Sequence, residues 1–595
     1  MFSGDSVLQE VKNMTNFSID RRIRKIPDHL RKIVLNNGFL LFLVFILAFF
    51  LRTYKLYSDY LFEGNDAPFF ILFAMGLTKS ENIIVFLTQI LNYQWGIMQP
   101  LFLLVNITIL NLFKIKFTEY SLTFGTALLG SVGVFLIYKL TSLFRKRAAL
   151  IASLFVALFT LHVGMSRNVI GSDHVAADLM MVLIISLFYV YCINGKYPWL
   201  ISILLSAYTL STGTFLGIYP LIIFIAIVAN IKNFRFDGRG FIRVFLNYRV
   251  IALPILTLIF LITTYGLSSY LGVKGIGYIG HIFNRASEPG FYLFQLLSYF
   301  SANTGKIFAI YLLFGFLYGL KKLLRLEKES IFTVWALIYL LPFAFLVSPE
   351  VTVVRGYLGR GTLPLIILAS IMTVDLHDYL NSVMRKLYSR MITTCIILLV
   401  MSSALANTVN VVFQTDNDTD KFYGSMSINT GTKTAGYFIR EIRETRIEPE
   451  IIFTDLGIEA MRYYAGNSVI GEKNAAAQEK VNFFRLNKER IDYVIISAKN
   501  IPYFQEALNG FYESAQIYSK EKHILSIYSK NKQDSEKLET EKVDRLFDDK
   551  YGNLYSIRLN IFGQLLDDPK YEVMINKAKS IPIIGYAFKD AWQTW

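Results

Sequence analysis

The amino-acid sequence predicts a polytopic α-helical membrane protein that continues into a C-terminal α/β domain. Of its 595 residues, 54% are hydrophobic and only 18% are charged, whereas soluble globular chains contain roughly 25% charged residues. Long apolar stretches recur throughout residues 36–412, and short basic clusters lie between them. Beyond residue 412 the apolar runs become short and alternate with polar segments, which is typical of a soluble domain.

Roughly eleven stretches are apolar over the length of about 20 residues that a bilayer-crossing helix needs. We expect these spans near 36–52, 120–142, 148–165, 176–193, 199–214, 216–231, 249–269, 305–320, 331–347, 361–376 and 391–412. The basic clusters, such as Arg145–Arg147 and Arg385–Arg390, then fall on the side of the N-terminus. Because positively charged loops stay cytoplasmic, residues 1–35 are predicted to be a cytoplasmic segment. The net charge of +15 therefore reflects orientation and not nucleic-acid binding.

The first external loop, residues 53–118, is predicted to be unusually long. Its run from Gln99 to Phe113 is apolar enough for a span, but counting it would place Arg145–Arg147 outside. We therefore expect this run, and the apolar runs before it, to form helices along the outer membrane surface.

The chain after the last span is predicted to lie on the outer side of the membrane in two parts. Residues 413–530 alternate strand-like and helical runs, which indicates a small extracytoplasmic α/β domain. Residues 531–595 have the composition of a charged linker followed by a C-terminal tail. Within the domain, Asp455 either caps the helix that follows it, the favoured interpretation, or helps to recognise an acceptor.

Several classes of site are absent from the sequence. It contains no nucleotide-binding loop, zinc motif or nucleophile elbow. Its two cysteines, Cys192 and Cys395, both lie in apolar segments, which excludes a disulfide framework.

The candidate catalytic groups are the few acidic residues predicted at the outer face. Asp59, Glu63 and Asp66 follow the first span, and Asp173, His174 and Asp178 follow the third. A carboxylate at the membrane–water boundary can stay ionised, as a general base must. Each of these residues could equally be an ordinary polar loop residue.

Two further external loops, 270–304 and 348–360, contain cations against the positive-inside trend. The cations are Lys274, Arg285, Arg355 and Arg360, and Tyr357 lies between the last two. A guanidinium can bond two phosphate oxygens at once, so these residues are predicted to hold a lipid phosphate. The alternative is that they only reach towards the lipid headgroups.

Five elements occur in the order found in a known family. They are Asn65-Asp66, Gln99-Pro100-Leu101-Phe102, the run LTSLFRKRAALIASL, Ser166-Arg167 followed by Asp173, and Arg355 with Tyr357 and Pro364. In these elements the chain resembles the C-type glycosyltransferases, specifically the branch of the protein O-mannosyltransferases and aminoarabinose transferases.

The resemblance implies an enzyme that moves a sugar from a polyprenyl-phosphate donor to an acceptor hydroxyl, with inversion. The acceptor would be a protein, a lipid or a glycan at the outer face of the plasma membrane. In that family the residue in the position of Asp66 is the catalytic carboxylate, so Asp66 is expected to be the general base, and Asp173 to orient the acceptor. Related transferases hold a divalent cation with carboxylates and a histidine, which makes Asp66, Asp173 and His174 a candidate metal set. The groups expected to support the acceptor are Glu63, Asn65, Gln99, Arg167 and His174.

The sequence also departs from the family pattern, and other functions stay open. Asn65 replaces an acid and Gln99 replaces a histidine, which leaves the acceptor class undetermined and allows a non-catalytic member. One alternative is a transporter or flippase for a lipid-linked saccharide, which would place ionisable groups or a broken helix near the bilayer midplane. Here His162 and the turn at 211–214 come nearest to that pattern. The other alternative is a membrane scaffold whose external domain binds a partner.

Overall fold

The computed structural model describes residues 37–54, 71–74, 77, 98–115, 119–167, 171–211, 217–232, 247–270, 301, 304–345, 354–413, 431–432, 435–436, 438–439, 451–465, 468–471, 475–519 and 522–531. Within this part, residues up to 413 are almost entirely helical and residues from 451 form a sheet with helices. The two kinds of structure follow the change in hydropathy along the chain.

The helical region contains helices of very different length. They are α1 (Asn37–Thr53), α2 (Met98–Leu112), α3 (Glu119–Phe144), α4 (Ala149–Ala157), α5 (Thr160–Ser166), α6 (Gly171–Asn194), α7 (Pro198–Ser211), α8 (Ile218–Lys232), α9 (Tyr248–Tyr270), α10 (Lys306–Leu324), α11 (Ser330–Phe345), α12 (Val354–Val383) and α13 (Lys386–Phe413). Among the described residues, 5 helices are long and apolar enough to cross a membrane, or 6 if the bent pair α4–α5 counts as one span. The prediction of an α-helical membrane protein is confirmed, while the number of eleven spans and their orientation stay predictions.

Each predicted span overlaps a helix, but two of them differ in shape from the expectation. The predicted span 148–165 is a pair of helices, α4 and α5, bent by 58°. Helix α12 begins at Val354, inside the predicted external loop 348–360, so Arg360 lies within a helix, where it pairs with Asp178 on α6. The run from Gln99 to Phe113 is helical as expected, in α2, and its position on the membrane surface stays a prediction.

Close helix contacts in the bundle depend on glycine. A Cβ atom added to Gly315 of α10 would lie 2.7 Å from the Cβ and 2.8 Å from the backbone nitrogen of Ala369 in α12. Because the backbone of Ala369 cannot move aside as a flexible side chain could, the two helices approach at a distance that only glycine permits.

Replacing Gly315 by valine is expected to destabilise the helical region by about 1–3 kcal/mol through overpacking. The measurement is the thermal unfolding midpoint of the purified protein in detergent. Leu313→Val is the matched control, since the Leu313 side chain on the same helix is 52% exposed. Equal midpoints for the two variants would show that α10 and α12 are not packed this closely.

The C-terminal region is built on a five-stranded sheet with the order β2-β1-β3-β5-β4. Its strands and α-helices are β1 (Ile451–Thr454), α14 (Ile458–Ala465), β2 (Ser468–Ile470), α15 (Ala477–Asn487), β3 (Tyr493–Ser497), α16 (Ile501–Phe504), β4 (Tyr512–Ser519) and β5 (Lys522–Ser529). Strands β2, β1 and β3 are parallel, and β5 and β4 pair antiparallel.

Both faces of this sheet are covered. Ile452 and Ile495 pack with Met461 of α14, whereas Phe453 and Val494 pack with the α15 side of the sheet. Neighbouring residues in a strand point to opposite faces. The apolar side chains of β1 and β3 therefore contribute to two hydrophobic cores, one on each face of the sheet. The predicted α/β fold is confirmed, and the domain boundaries and the external placement stay predictions.

Candidate functional site

The structure describes the predicted site residues to different extents. Glu63, Asn65, Asp66, Lys274 and Arg285 lie outside the described residues. For four others the structure describes the helical backbone but no side chain: Gln99 in α2, Asp173 in α6, and Arg355 and Tyr357 in α12. The side chains of Arg167, His174 and Arg360 are described in full, and all three are buried.

A buried ion pair joins the first turns of α6 to the first turns of α12. Arg360 Nε donates a hydrogen bond to Asp178 Oδ1 at 3.1 Å, and Arg360 Nη2 donates to His174 Nδ1 at 3.2 Å. His174 and Asp178 are four residues apart on α6 and therefore lie on one face of that helix. The side chain of Arg360 is 0% exposed and that of Asp178 is 5% exposed. The two helices are thus held together by opposite charges shielded from water.

This contact corrects the predicted position of Arg360. The residue was expected in an open external loop, where a lipid phosphate would balance its charge. It lies instead inside α12, and Asp178 already balances it. Sequence reasoning missed this partner because 182 positions separate the two residues. A contact between Arg360 and a carrier phosphate stays a prediction.

The same contact bears on the candidate metal set. A guanidinium can only donate, so His174 Nδ1 must accept and, in the neutral imidazole, Nε2 must hold the proton. Neither ring nitrogen then offers a lone pair to a metal. His174 could join a metal set with Asp66 and Asp173 only after leaving Arg360. Among the described residues there is no group of three His, Cys, Asp or Glu side chains that could hold a metal ion.

A second buried arginine, Arg52, lies in the last turn of α1. Its Nη1 donates to the backbone oxygens of Ala48 at 3.0 Å and Ala157 at 3.3 Å. Its Nη2 donates to the Val156 oxygen at 3.3 Å and to His162 Nδ1 at 3.0 Å. Val156 and Ala157 end α4, where carbonyl groups lose the regular partners of a continuous helix, and the Val156 oxygen also accepts a bond from the Phe159 nitrogen at 3.3 Å. Arg52 therefore occupies the break between α4 and α5.

Arg167, predicted to support the acceptor, follows α5 and reaches back to α1. Its Nη1 donates to the backbone oxygen of Leu51 at 3.1 Å and to that of Tyr54 at 2.7 Å. These carbonyls belong to the end of α1, where a cation is favoured by the helix dipole. The residue thus binds the protein backbone, and a further contact with an acceptor stays a prediction.

These contacts bring three chain segments to one end of the bundle. Arg167 ties the end of α1 to the segment that leads into α6, and Arg360 ties the start of α6 to the start of α12. The other end of α12 is held by different charges, since Arg145 contacts both Asp375 and Asp378 at 2.9 Å. Arg360 and Asp375 are separated by about 22 Å at the 1.5 Å rise per residue of an α-helix. The candidate site and the basic cluster at Arg145 therefore lie at opposite ends of the bundle.

Two tyrosines extend the polar interior next to the Arg360–Asp178 pair. The hydroxyl groups of Tyr208 in α7 and Tyr339 in α11 lie 2.8 Å apart. Tyr208 also donates to Met181 Sδ at 3.5 Å, so Tyr339 donates to Tyr208. Tyr339 lies within electrostatic reach of both members of the ion pair. No sequence pattern pointed to these tyrosines, whereas Arg52 could have been found as a lone charge inside an apolar stretch.

Asp455, which directly follows β1, does not have the expected role of a helix cap. Its carboxylate accepts hydrogen bonds from the Ser497 backbone nitrogen at 2.8 Å, from Ser497 Oγ at 2.6 Å and from Asn500 Nδ2 at 2.6 Å. These donors lie at the end of β3, and not at the start of α14. The interpretation of Asp455 as the cap of that helix is therefore wrong. The carboxylate joins the ends of two parallel strands, and acceptor recognition by Asp455 stays a prediction.

Comparison with known proteins shows a likeness in fold. No protein-family model matches the chain, and no curated protein matches it in sequence. The apo crystal structure of the oligosaccharyltransferase of Archaeoglobus fulgidus is 14% identical, with a TM-score of 0.53 over 83% of this chain and 74% of that chain. Apo ArnT from Cupriavidus metallidurans is 10% identical, with a TM-score of 0.52 over 83% of this chain and 98% of that chain. The resemblance expected from the sequence is thereby confirmed at the level of the fold.

Two further structures of these proteins contain a lipid phosphate. The archaeal oligosaccharyltransferase AglB from Archaeoglobus fulgidus, in complex with an inhibitory peptide and a dolichol-phosphate, is 14% identical, with a TM-score of 0.51 over 83% of this chain and 74% of that chain. ArnT from Cupriavidus metallidurans bound to undecaprenyl phosphate is 12% identical, with a TM-score of 0.50 over 82% of this chain and 96% of that chain.

Proposed function

We propose that this chain, which has the fold of the C-type membrane glycosyltransferases, transfers a sugar from a polyprenyl-phosphate carrier to an acceptor hydroxyl. The observation that supports this most directly is the meeting of three segments at one end of the bundle. The residues that follow α1 include Asp66, the first turn of α6 includes Asp173, and the first turns of α12 include Arg355. This end of the bundle would then hold the base, the carboxylate that orients the acceptor and the cation that binds the phosphate.

The carrier is inferred from the chemistry of that end of the bundle and from the neighbours in fold. Dolichol-phosphate is present in one neighbour and undecaprenyl phosphate in another. Arg355 and Tyr357 belong to the first turn of α12, and Lys274 and Arg285 belong to the segment between α9 and α10. These groups would neutralise the phosphate as it leaves with the electrons of the broken bond. Since Arg360 is paired with Asp178, its part would be to fix the start of α12 and so the position of Arg355.

The reaction that fits these groups is an in-line displacement at the anomeric carbon. Asp66 accepts the proton of the acceptor hydroxyl, and the acceptor oxygen forms the new bond to the anomeric carbon. The bond from that carbon to the carrier phosphate oxygen breaks, and the configuration inverts. Asp173, with Glu63, Asn65 and Gln99, would hold the acceptor in line. The end of the bundle opposite the basic cluster is the outer one if positive charge stays inside, which would put the reaction on the outer face.

One observation also favours a transporter, the second candidate. The span formed by α4 and α5 is broken, and His162 lies beside the break, as in proteins that bind substrate at a discontinuous helix. The carbonyl groups at this break are already occupied, however. Arg52 binds the Val156 and Ala157 oxygens, and Thr408 Oγ1 donates to the Leu158 oxygen at 2.7 Å. A substrate would have to displace these groups, so the transferase is the better-supported proposal.

The test is turnover of the purified, detergent-solubilised protein with radiolabelled polyprenyl-phosphate sugars, with and without divalent metal ions. Release of the labelled sugar from its carrier, dependent on an added acceptor, is the expected result. The second arm uses proteoliposomes, in which a transporter would move the labelled donor across the bilayer without breaking its glycosyl bond. Movement without bond cleavage would replace the transferase proposal by the transporter. No activity in either arm, across several donors and acceptors, would favour a scaffold.

A further inference from the structure

The guanidinium of Arg52 is satisfied without a carboxylate. A guanidinium has five N–H donors, and here each has an acceptor: four are described above, and Arg52 Nε donates to Ser166 Oγ at 3.3 Å. The side chain is 0% exposed. A buried charge is costly unless its bonds are complete, so the surroundings of Arg52 are built to hold a guanidinium and not merely to tolerate one.

The acceptors of Arg52 belong to three structural elements. The Ala48 oxygen is on α1 itself, the Val156 and Ala157 oxygens end α4, and His162 and Ser166 lie on α5. One side chain thus fixes the end of α1 against both arms of the broken span. It also supplies the positive charge that the exposed carbonyls of a helix end favour.

Arg167 completes the attachment in the opposite direction, because it extends from α5 to the oxygens of Leu51 and Tyr54. Arg52 and Arg167 together are called the arginine clasp. Each arginine lies at the end of one helix and binds the carbonyls at the end of another. Two such contacts in opposite directions restrain the end of α1 more strongly than one, since sliding or rotating α1 would break the hydrogen bonds of at least one arginine.

A glycine on α3 makes the space that the clasp needs. A Cβ atom at Gly130 would lie 2.1 Å from Ser166 Oγ and 3.1 Å from Arg52 Nε. One turn further along α3, a Cβ atom at Gly133 would lie 2.9 Å from the flexible end of Leu179 and 3.8 Å from the ring of His162, which is an ordinary van der Waals distance. The two glycines therefore form a matched pair of positions: an added Cβ atom would clash with Ser166 beside Arg52 at the first, and would leave Arg52 and its partners at ordinary contact distance at the second.

We propose that Arg52 is a positioning residue of the transferase site, and that it acts by fixing the end of α1 against the segment leading into α6. This inference rests on the proposed function, because it assumes that chemistry occurs where these segments meet. Misplacement of reacting groups by about 1 Å can lower a rate by about 100-fold. Loss of the clasp is therefore expected to reduce kcat while the KM for the carrier donor changes little.

The test compares Gly130→Ala, Gly133→Ala and Arg52→Lys with the wild type, using both kinetics and amide hydrogen exchange. Gly130→Ala is expected to lower kcat by about 100-fold, to leave KM within about threefold, and to speed exchange in peptides that cover Leu51–Tyr54. Gly133→Ala should match the wild type in both measurements. Arg52→Lys keeps the charge at the helix ends but has fewer donors, so kcat should lie between those of the wild type and Gly130→Ala.

The outcomes distinguish a failure of the clasp proposal from a failure of the proposed function. Faster exchange at Leu51–Tyr54 in Gly130→Ala but not in Gly133→Ala supports the clasp even if the wild type shows no transferase activity. A fall in kcat with unchanged exchange, or equal effects of the two glycine variants, would overturn the positioning role. A rise in KM alone would also overturn it, since it would assign Arg52 to donor binding.

Discussion

Asp66→Asn is expected to abolish sugar transfer while leaving the fold intact. Asparagine has nearly the shape of aspartate but cannot accept a proton at the pH of the reaction, and removal of a general base typically costs 10²- to 10⁴-fold in rate, roughly the largest effect expected for one residue here. The measurement is the initial rate of sugar release from the labelled carrier at saturating acceptor. If Asp66 acts as the base, kcat should fall and the KM for the donor should change little.

Asp59→Asn is the control for this experiment, since Asp59 lies in the same segment after α1 and has no part in the proposed reaction. It should retain the wild-type rate, and both variants should elute and unfold as the wild type does. Asp66→Glu, which retains a carboxylate at a changed distance, should keep more activity than Asp66→Asn. A rate for Asp66→Asn within threefold of wild type, about 0.65 kcal/mol in barrier, would remove Asp66 as the base.

The helical architecture could be predicted because a bilayer imposes a local requirement. Each span must satisfy its own backbone hydrogen bonds and present apolar side chains over about 20 residues. A window of sequence therefore contains the information, and α3, α6 and α13 appear where the apolar stretches are. The same holds for the C-terminal sheet, whose strands alternate with helices in the pattern of an α/β domain.

The features that build the candidate site depend instead on partners far away in the sequence. The charge of Arg360 inside α12 is balanced by Asp178, 182 positions away. The carbonyl groups at the break between α4 and α5 are bound by Arg52, more than a hundred positions earlier. A window of sequence places Arg360 in a loop and Arg52 at the end of a span, and it cannot identify the group that compensates either buried charge. Asp455 is the same case in the C-terminal sheet region, where its donors lie 42 and 45 positions away.

Arg360→Ala is expected to destabilise the helical region strongly, because it leaves the Asp178 carboxylate buried without its cation. Removing one partner of a buried ion pair typically costs about 3–5 kcal/mol, the largest stability effect expected in this chain. Asp178→Ala should be similarly damaging, since it leaves the guanidinium with His174 alone among the two partners described. The measurement is the thermal unfolding midpoint in detergent, and the lost contact between α6 and α12 should also lower any transferase activity.

The double variant Arg360→Met with Asp178→Leu tests whether the expected loss of stability comes from a buried charge without its partner. Apolar side chains of similar volume leave no buried charge without a partner, so the double variant should be more stable than either single alanine variant. Arg485→Ala is the control, because the ion pair of Arg485 and Glu506 is exposed, with an N–O distance of 3.5 Å, and such pairs contribute about 1 kcal/mol or less. A double variant that recovers stability but not activity would assign the pair to positioning the start of α12. Single variants as stable as the control would mean that Arg360 and Asp178 are not paired in the folded protein.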